Sequence, residues 1–238
     1  MRSRFPRWLL VTDIDDTLDG DEDALRDFAE RRGDVLLVLN SSRPRASVEQ
    51  TMSRFPPGLR IDGIVTALGT EILLHGEELA EWTDRFRGWD RRVIDELLRS
   101  EGMAPHPPEM QTPYKASYSV PTERGEEIRA KLLERLPGTT VILSGKSDFD
   151  AIPLAAGKDK ATLHVAERLG IDADGLVVAG DSGNDLAMFD AAPRAIAVGN
   201  ARRELVERAD PNRTYFAAAH HAAGILEGLR HWGALPQD

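Results

Sequence analysis

Apolar residues along this chain follow two distinct patterns. Trp8 to Ile14 (WLLVTDI), Val35 to Asn40 (VLLVLN) and Ile61 to Ala67 are short, nearly continuous apolar runs, and Thr70 to Leu74 is a further candidate strand. A strand with one wet face alternates apolar and polar residues. A run without alternation predicts a strand buried on both faces, as in a parallel sheet covered by helices. Helical periodicity fills the intervals, from Asp21 to Arg32 and again from Pro44, a residue suited to a first helical turn. From Lys158 onward the alternation returns: a helix, the strand Gly175 to Gly180, a helix, the strand Ala195 to Gly199, and helices to the end.

The middle of the chain breaks this rhythm. A helical pattern over Arg87 to Ser100 leads into the proline-rich loop APHPPEMQTP, then a strand over Tyr114 to Val120 and a charged amphipathic helix over Glu123 to Arg135. Thr139 to Leu143 and Asp148 to Leu154 form a strand pair, antiparallel because only a short polar turn joins them. Helix, strand, helix and strand pair in that order predict an α+β insert. The expected architecture is α/β: a doubly wound, Rossmann-like parallel sheet formed by residues 1–79 and 156–238, split by an inserted domain over residues 80–155.

Composition narrows the partners. Over 238 residues, 40 acids against 30 Lys and Arg leave a net charge of −10, which argues against coating nucleic acid or an anionic membrane. The absence of cysteine removes disulfides, thiolate metal sites and cysteine nucleophiles. The opening MRSRFPRWLLVTDID has an apolar run too short for a membrane span and no signal-peptide cleavage region, so a cytoplasmic protein is expected.

The acids are not scattered. Asp13, Asp15 and Asp16 end the first apolar strand in DIDDT, and Asp181 and Asp185 follow another in GDSGND. Ligands of open α/β sheets gather outside the carboxyl ends of the strands, so the two clusters can converge. One Asp after a strand is an ordinary turn or cap residue. Two acidic clusters in one crevice repel each other unless a cation sits among them, and a hard divalent ion with oxygen ligands, magnesium rather than calcium, answers that need. Ser41, at the end of VLLVLN, precedes a helix start that suits an anion; Lys158 or Lys160 re-enters the core after the insert and can neutralise a phosphate. A carboxylate nucleophile, a second carboxyl two residues on, a metal, a hydroxyl and a lysine suit phosphoryl transfer.

On these residues the chain resembles the haloacid-dehalogenase-like phosphohydrolases, with Asp13-Ile14-Asp15-Asp16-Thr17, Ser41, Lys158 and Gly180-Asp181-Ser182-Gly183-Asn184-Asp185 as the four motifs. The insert falls between the second and third motifs, like the α/β (C2-type) cap of sugar phosphatases. TALGTEI, Trp82 and Trp89, YKASY, SGKSDFDAIP and HAAGILEGL extend the resemblance to the sucrose-phosphate phosphatases over nearly the whole chain. That resemblance implies magnesium-dependent hydrolysis of sucrose 6-phosphate. Asp13 would be the nucleophile and Asp15 the acid and base. Asp13, the Asp15 backbone carbonyl, Asp181 and Asp185 would serve the metal, and Ser41, Lys158 and Asn184 the phosphoryl group. In the cap, Lys115, Lys146, Asp148 and Asp150 are candidates for sugar hydroxyls. The expected partners are a sugar phosphate and, in some arrangements, the synthase that makes it; a monomer is expected.

Two positions depart from the family pattern: Ser42 and Asp16, where glycine, or glycine and asparagine, are common. Other readings are a phosphatase for mannosylfructose phosphate or for glucosyl- or mannosyl-3-phosphoglycerate, a phosphomutase, and a non-catalytic sugar-phosphate binder. His220 and His221 read as surface or capping residues, and Met188 and Phe189 as core.

Overall fold

A computed structural model describes residues 8–237; the opening before Trp8 lies outside the described residues. The chain first lays down β1 (Leu9–Thr12), α1 (Glu22–Arg31), β2 (Leu36–Asn40), α2 (Arg45–Met52), β3 (Gly63–Thr66), β4 (Glu71–Leu74), β5 (Glu77–Glu78) and α3 (Ala80–Thr83). It then builds α4 (Arg91–Ser100), β6 (Ala104–Pro105), β7 (Ala116–Ser119), α5 (Thr122–Arg135), β8 (Thr139–Ser144) and β9 (Asp148–Pro153). It closes with α6 (Lys158–Leu169), β10 (Leu176–Gly180), α7 (Leu186–Ala191), β11 (Ala195–Ala197), α8 (Arg203–Val206), β12 (Thr214–Phe216) and α9 (His221–His231).

The first and last groups share an eight-stranded sheet in the order β12-β11-β10-β1-β2-β3-β4-β5; the middle group forms its own sheet, β6-β7-β9-β8. The unbroken apolar runs are explained by two cores. Leu9, Val11, Leu36 and Val38 pack on one face of the larger sheet, and Leu10, Leu37 and Leu39 on the other, because successive side chains of a strand point to opposite faces. Phe28 of α1 and Leu229 of α9 cover the second face; Val165 of α6 and Met188 and Phe189 of α7 cover the first. The smaller sheet has a separate apolar cluster that includes Ile94, Leu97, Tyr118, Ile128 and Phe149. Trp82 and Phe86 pack with the first face of the larger sheet, so α3 and the turn after it lie against that sheet.

The structure adds to the sequence reading at several points. Strand β4, whose direction was left open, runs antiparallel to β3, and β5 is an extra edge strand. Strand β6 lies within the segment expected to be a proline-rich loop, and β12 adds a parallel edge strand where helices alone were expected. Apolar periodicity reports burial, not strand direction, and three residues over Thr214–Phe216 are too few to show a period. No helix among the described residues is long and apolar enough to cross a membrane.

Strand β1 pairs in parallel with β10 on one side and β2 on the other. The chain leaves β1 in one direction first and reaches β10 in the other later, so a crevice opens at the carboxyl ends of these three strands. Asp13, Ser41 and Asp181 are the residues that follow them.

Candidate active site

Asp13, Asp181 and Asp185 are buried and offer carboxylate oxygens within 4.8 Å of one another. The Lys158 ammonium lies in the same pocket, donating to Asp13 Oδ1 at 2.6 Å, Asp185 Oδ1 at 2.7 Å and Asn184 Oδ1 at 2.9 Å. Lys160, the other candidate lysine, pairs with Asp159 instead. Lys158 is the first residue of α6, and the Asn40 side chain at the end of β2 donates to its carbonyl at 3.0 Å, tying the helix start to the sheet. One ammonium does not balance three carboxylates. Burial pushes Asp13 up to about 7, against the pull of Lys158, and burial with the neighbouring Asp185 pushes Asp181 up to about 6. Burial by itself would lower Lys158; its two carboxylate partners override that and raise it.

The loop after β10 is shaped for its acid. Asp185 Oδ2 accepts the Asp181 and Ser182 N–H groups at 3.1 and 3.2 Å. A Cβ on Gly180 would stand 2.6 Å from the Asp185 carboxyl, so only glycine lets the side chain fold back this far. Asp181 Oδ1 accepts from Thr17 Oγ1 at 3.2 Å, and Arg202 Nε stands 3.5 Å from its Oδ2.

Asp15 and Asp16 leave β1 through a kink. Asp16 adopts φ 58, in the left-handed region, which explains why glycine or asparagine suits this position. Its carbonyl accepts from Asn200 Nδ2 at 2.6 Å and faces His221 Nδ1 at 3.1 Å, so His221 braces the loop at the start of α9. Asp15 is not part of the carboxylate cluster. Its side chain lines the cleft, and burial raises its pKa while Arg43, Nε 2.9 Å from Oδ2, lowers it. Arg43 was not singled out from the sequence. Its sole signal is that it closes the NSSR segment.

Ser41 is fully buried and its Oγ accepts the Arg43 N–H at 3.1 Å, whereas Ser42 lines the cleft with an ordinary backbone conformation. Opposite the acids, the smaller sheet contributes Lys115, Asp148 and Asp150, joined by His106 and Met110 from the proline-rich loop. Lys115 is buried, with Nζ 2.6 Å from Ser117 Oγ and 3.0 Å from Asp150 Oδ1, and Asp148 Oδ1 is 3.6 Å from His106 Nε2. Lys146 is not brought to this cleft; it lies on the β8–β9 turn and lines a neighbouring cavity with Thr122 and Arg208.

This geometry, an acid-lined crevice at the switch point of a parallel sheet faced by an inserted sheet, is that of the haloacid-dehalogenase-like phosphatases. A phosphatase of that superfamily from Bacteroides thetaiotaomicron shares the fold with a TM-score of 0.73 at 18% identity, over 99% of this chain and 98% of that one. The chain belongs to the Sucrose-6F-phosphate phosphohydrolase family, which it matches over residues 6–233. A mannosylfructose-phosphate phosphatase of Agrobacterium fabrum is 34% identical over 98% of this chain and 99% of that protein. The sucrose-phosphatase of Synechocystis sp. PCC6803, solved with sucrose and phosphate, superposes with a TM-score of 0.84 at 29% identity, over 96% and 99% of the two chains. The chain spans only 61% of the length of a probable sucrose-phosphatase of Arabidopsis thaliana that it also matches.

Proposed function

We propose that this protein is a magnesium-dependent phosphatase that hydrolyses the phosphate ester of a disaccharide, sucrose 6-phosphate first among the candidates. One observation carries the reading: Asp13, held from beneath by the buried Lys158 and Asp185, forms with Asp181 the floor of a cleft whose opposite wall is the polar face formed by Lys115, Asp148 and Asp150. The relative that acts on mannosylfructose phosphate favours that ester as the second reading.

The donor set fits a hard cation. Three buried carboxylates with oxygens within 4.8 Å of one another have only oxygen to offer, and the Lys158 ammonium pairs with two of them, Asp13 and Asp185. Asp13, Asp181 and the Asp15 backbone carbonyl would hold magnesium, with Asp185 supporting them. Bound there, the ion would supply positive charge against the phosphoryl oxygens. Asp13 is the proposed nucleophile: its carboxylate bonds to phosphorus as the bond to the sugar oxygen breaks. Asp15 gives that oxygen a proton, then takes one from the water that cleaves the aspartyl phosphate. Lys158 would hold Asp13 in line and, with Asn184, meet phosphoryl oxygens. Ser41 is buried behind the cleft with its Oγ taken by the Arg43 N–H, so it would do so only after that contact opens, and Ser42 faces the cleft in its place. The inserted sheet, within residues 80–155, is the proposed sugar-recognition cap. Lys115, Asp148 and Asp150 would meet hydroxyls in the main cleft, and Lys146 would do so only by reaching around the turn it sits on.

Phosphate release from a panel holding sucrose 6-phosphate, mannosylfructose phosphate and monosaccharide phosphates, with magnesium and with chelator, tests the proposal. We expect magnesium-dependent release, fastest from a disaccharide phosphate. No release from any member would defeat the phosphatase reading; release fastest from a monosaccharide phosphate would defeat the substrate class alone.

A further inference from the structure

Arg43 stands behind the carboxyl group to which the proposed reaction gives the proton work. Its Nε is 2.9 Å from Asp15 Oδ2, and its Nη1 donates to Thr51 Oγ1 at 3.0 Å and to Ser47 Oγ at 3.4 Å. Thr51 is buried in α2, so the guanidinium is anchored on a helix rather than free to swing in solvent. The backbone is tied as well: Arg43 N–H donates to Ser41 Oγ at 3.1 Å, and its carbonyl accepts from Ala67 N–H at 2.8 Å. Asp15, by contrast, sits in the kink after β1 at φ −69, ψ 127, outside any regular element, with its side chain about half exposed (53%). Asp15 lines the cleft and Arg43 does not, so the guanidinium reaches the carboxyl from the side away from the substrate.

We propose that Arg43 is the positioning residue of Asp15: its ion pair at Oδ2, a close approach of Nε without hydrogen-bond alignment, restrains the carboxyl at one oxygen and leaves Oδ1 to carry the proton to the departing sugar. The inference rests on the phosphatase reading above. In the step concerned, an Asp13 carboxylate oxygen bonds to phosphorus and the ester bond to the sugar breaks. The electron pair left on the sugar oxygen takes the proton from Asp15, which becomes a carboxylate. Arg43 stays charged throughout and touches neither sugar nor phosphoryl group. A sugar alcohol is a poor leaving group and depends on that proton; p-nitrophenolate departs without one. Misplacing a catalytic group by about 1 Å can cost about 100-fold, so loss of Arg43 should penalise the sugar ester selectively.

The experiment measures phosphoryl transfer to the enzyme in the first turnover, by rapid quench with magnesium present. Its two substrates are p-nitrophenyl phosphate and whichever disaccharide phosphate the wild-type chain hydrolyses faster. In Arg43→Gln the ratio of sugar to aryl rates should fall about 10-fold or more, in the direction set by Asp15→Asn, and Arg43→Lys should recover only part because ammonium lacks the planar fork. The double variant should be no more selective than Asp15→Asn alone. Should Arg43→Gln fail to fold, Thr51→Val removes the helix anchor and should move the ratio the same way. A ratio unchanged in Arg43→Gln, or in Thr51→Val where that replaces it, while both rates fall together or both hold, would overturn the positioning role. A ratio unchanged in Asp15→Asn would instead remove the acid itself, and the proposal with it.

Discussion

Asp13 and Asp181 keep their protons in the folded chain at pH values where an exposed carboxyl has lost them, because burial raises them to about 7 and about 6. The stabilisation from those retained protons is complete below the ordinary carboxyl value of 3.8 and is lost as pH rises through about 6 to 7. A divalent cation competes for the same oxygens, so its stabilising effect should grow over that interval. Thermal unfolding with and without magnesium at pH 5.5 and pH 7.5 checks this: the magnesium-induced rise in Tm should be larger at the higher pH. Equal rises would mean these carboxylates do not hold the ion. At this scale the acids were legible in the sequence because each follows an apolar run directly. Arg43 was not, since its meaning lies in a 2.9 Å approach to Asp15 that the parallel pairing of β1 with β2 creates by bringing the loops after both strands together. Ser41 shows the converse: the motif marks it, yet its neighbour Ser42 is the one that faces the cleft.

Between elements, a tight constraint lies where the turn after β3 meets the entry to α6. Gly69 has φ +82, and a Cβ there would stand 2.3 Å from the Gly157 carbonyl oxygen. An alanine would combine a left-handed backbone, costing ~1–2 kcal/mol, with a backbone overlap worth a further ~1–3 kcal/mol. Gly69→Ala should therefore lower unfolding free energy by about 2–5 kcal/mol in urea titration; a loss below about 0.5 kcal/mol would show that the turn yields freely. The Trp82 indole N–H donates to the Gly69 carbonyl at 2.9 Å, so the same turn anchors α3 as the chain leaves the larger sheet. Helices and buried strands were readable here from their periods. The antiparallel return of β4 and the edge strand β12 were not, because direction and edge position are set by partner strands rather than by a run's own residues.

Over the whole molecule, two sheets are joined by the segments around residues 79–90 and 153–157 and face each other across the cleft. The smaller sheet has its own apolar cluster, while Ile152 of β9 packs with the larger sheet's core. If the proposed function holds, the smaller unit should close over a bound sugar and exclude water before transfer. Hydrogen exchange with sucrose, phosphate and magnesium together should slow at these two connections and at the β8–β9 turn, compared with the protein alone. Unaltered protection at all three would speak for a cleft that does not move. The chain's excess of ten acids also acquires a place at this scale, since part of it surrounds Lys158 beneath the cleft floor.

What the sequence determined by itself were the features written within a few residues of each other: buried strands, helix starts, acids at strand ends, and the change of pattern that marks the insert. Propensity, burial and turn chemistry act over such short spans, so their signal survives in a linear reading. The tertiary structure alone decided which of those residues meet. Lys158 reaches Asp13 across 145 positions, and Asn40 reaches the Lys158 carbonyl across 118. Contacts at that separation depend on strand order and on helices packed on both sheet faces, and no local period encodes them. The chemistry follows from these meetings: one lysine shared by buried carboxylates, a carboxyl steadied from behind by Arg43, and a polar wall supplied by the inserted sheet.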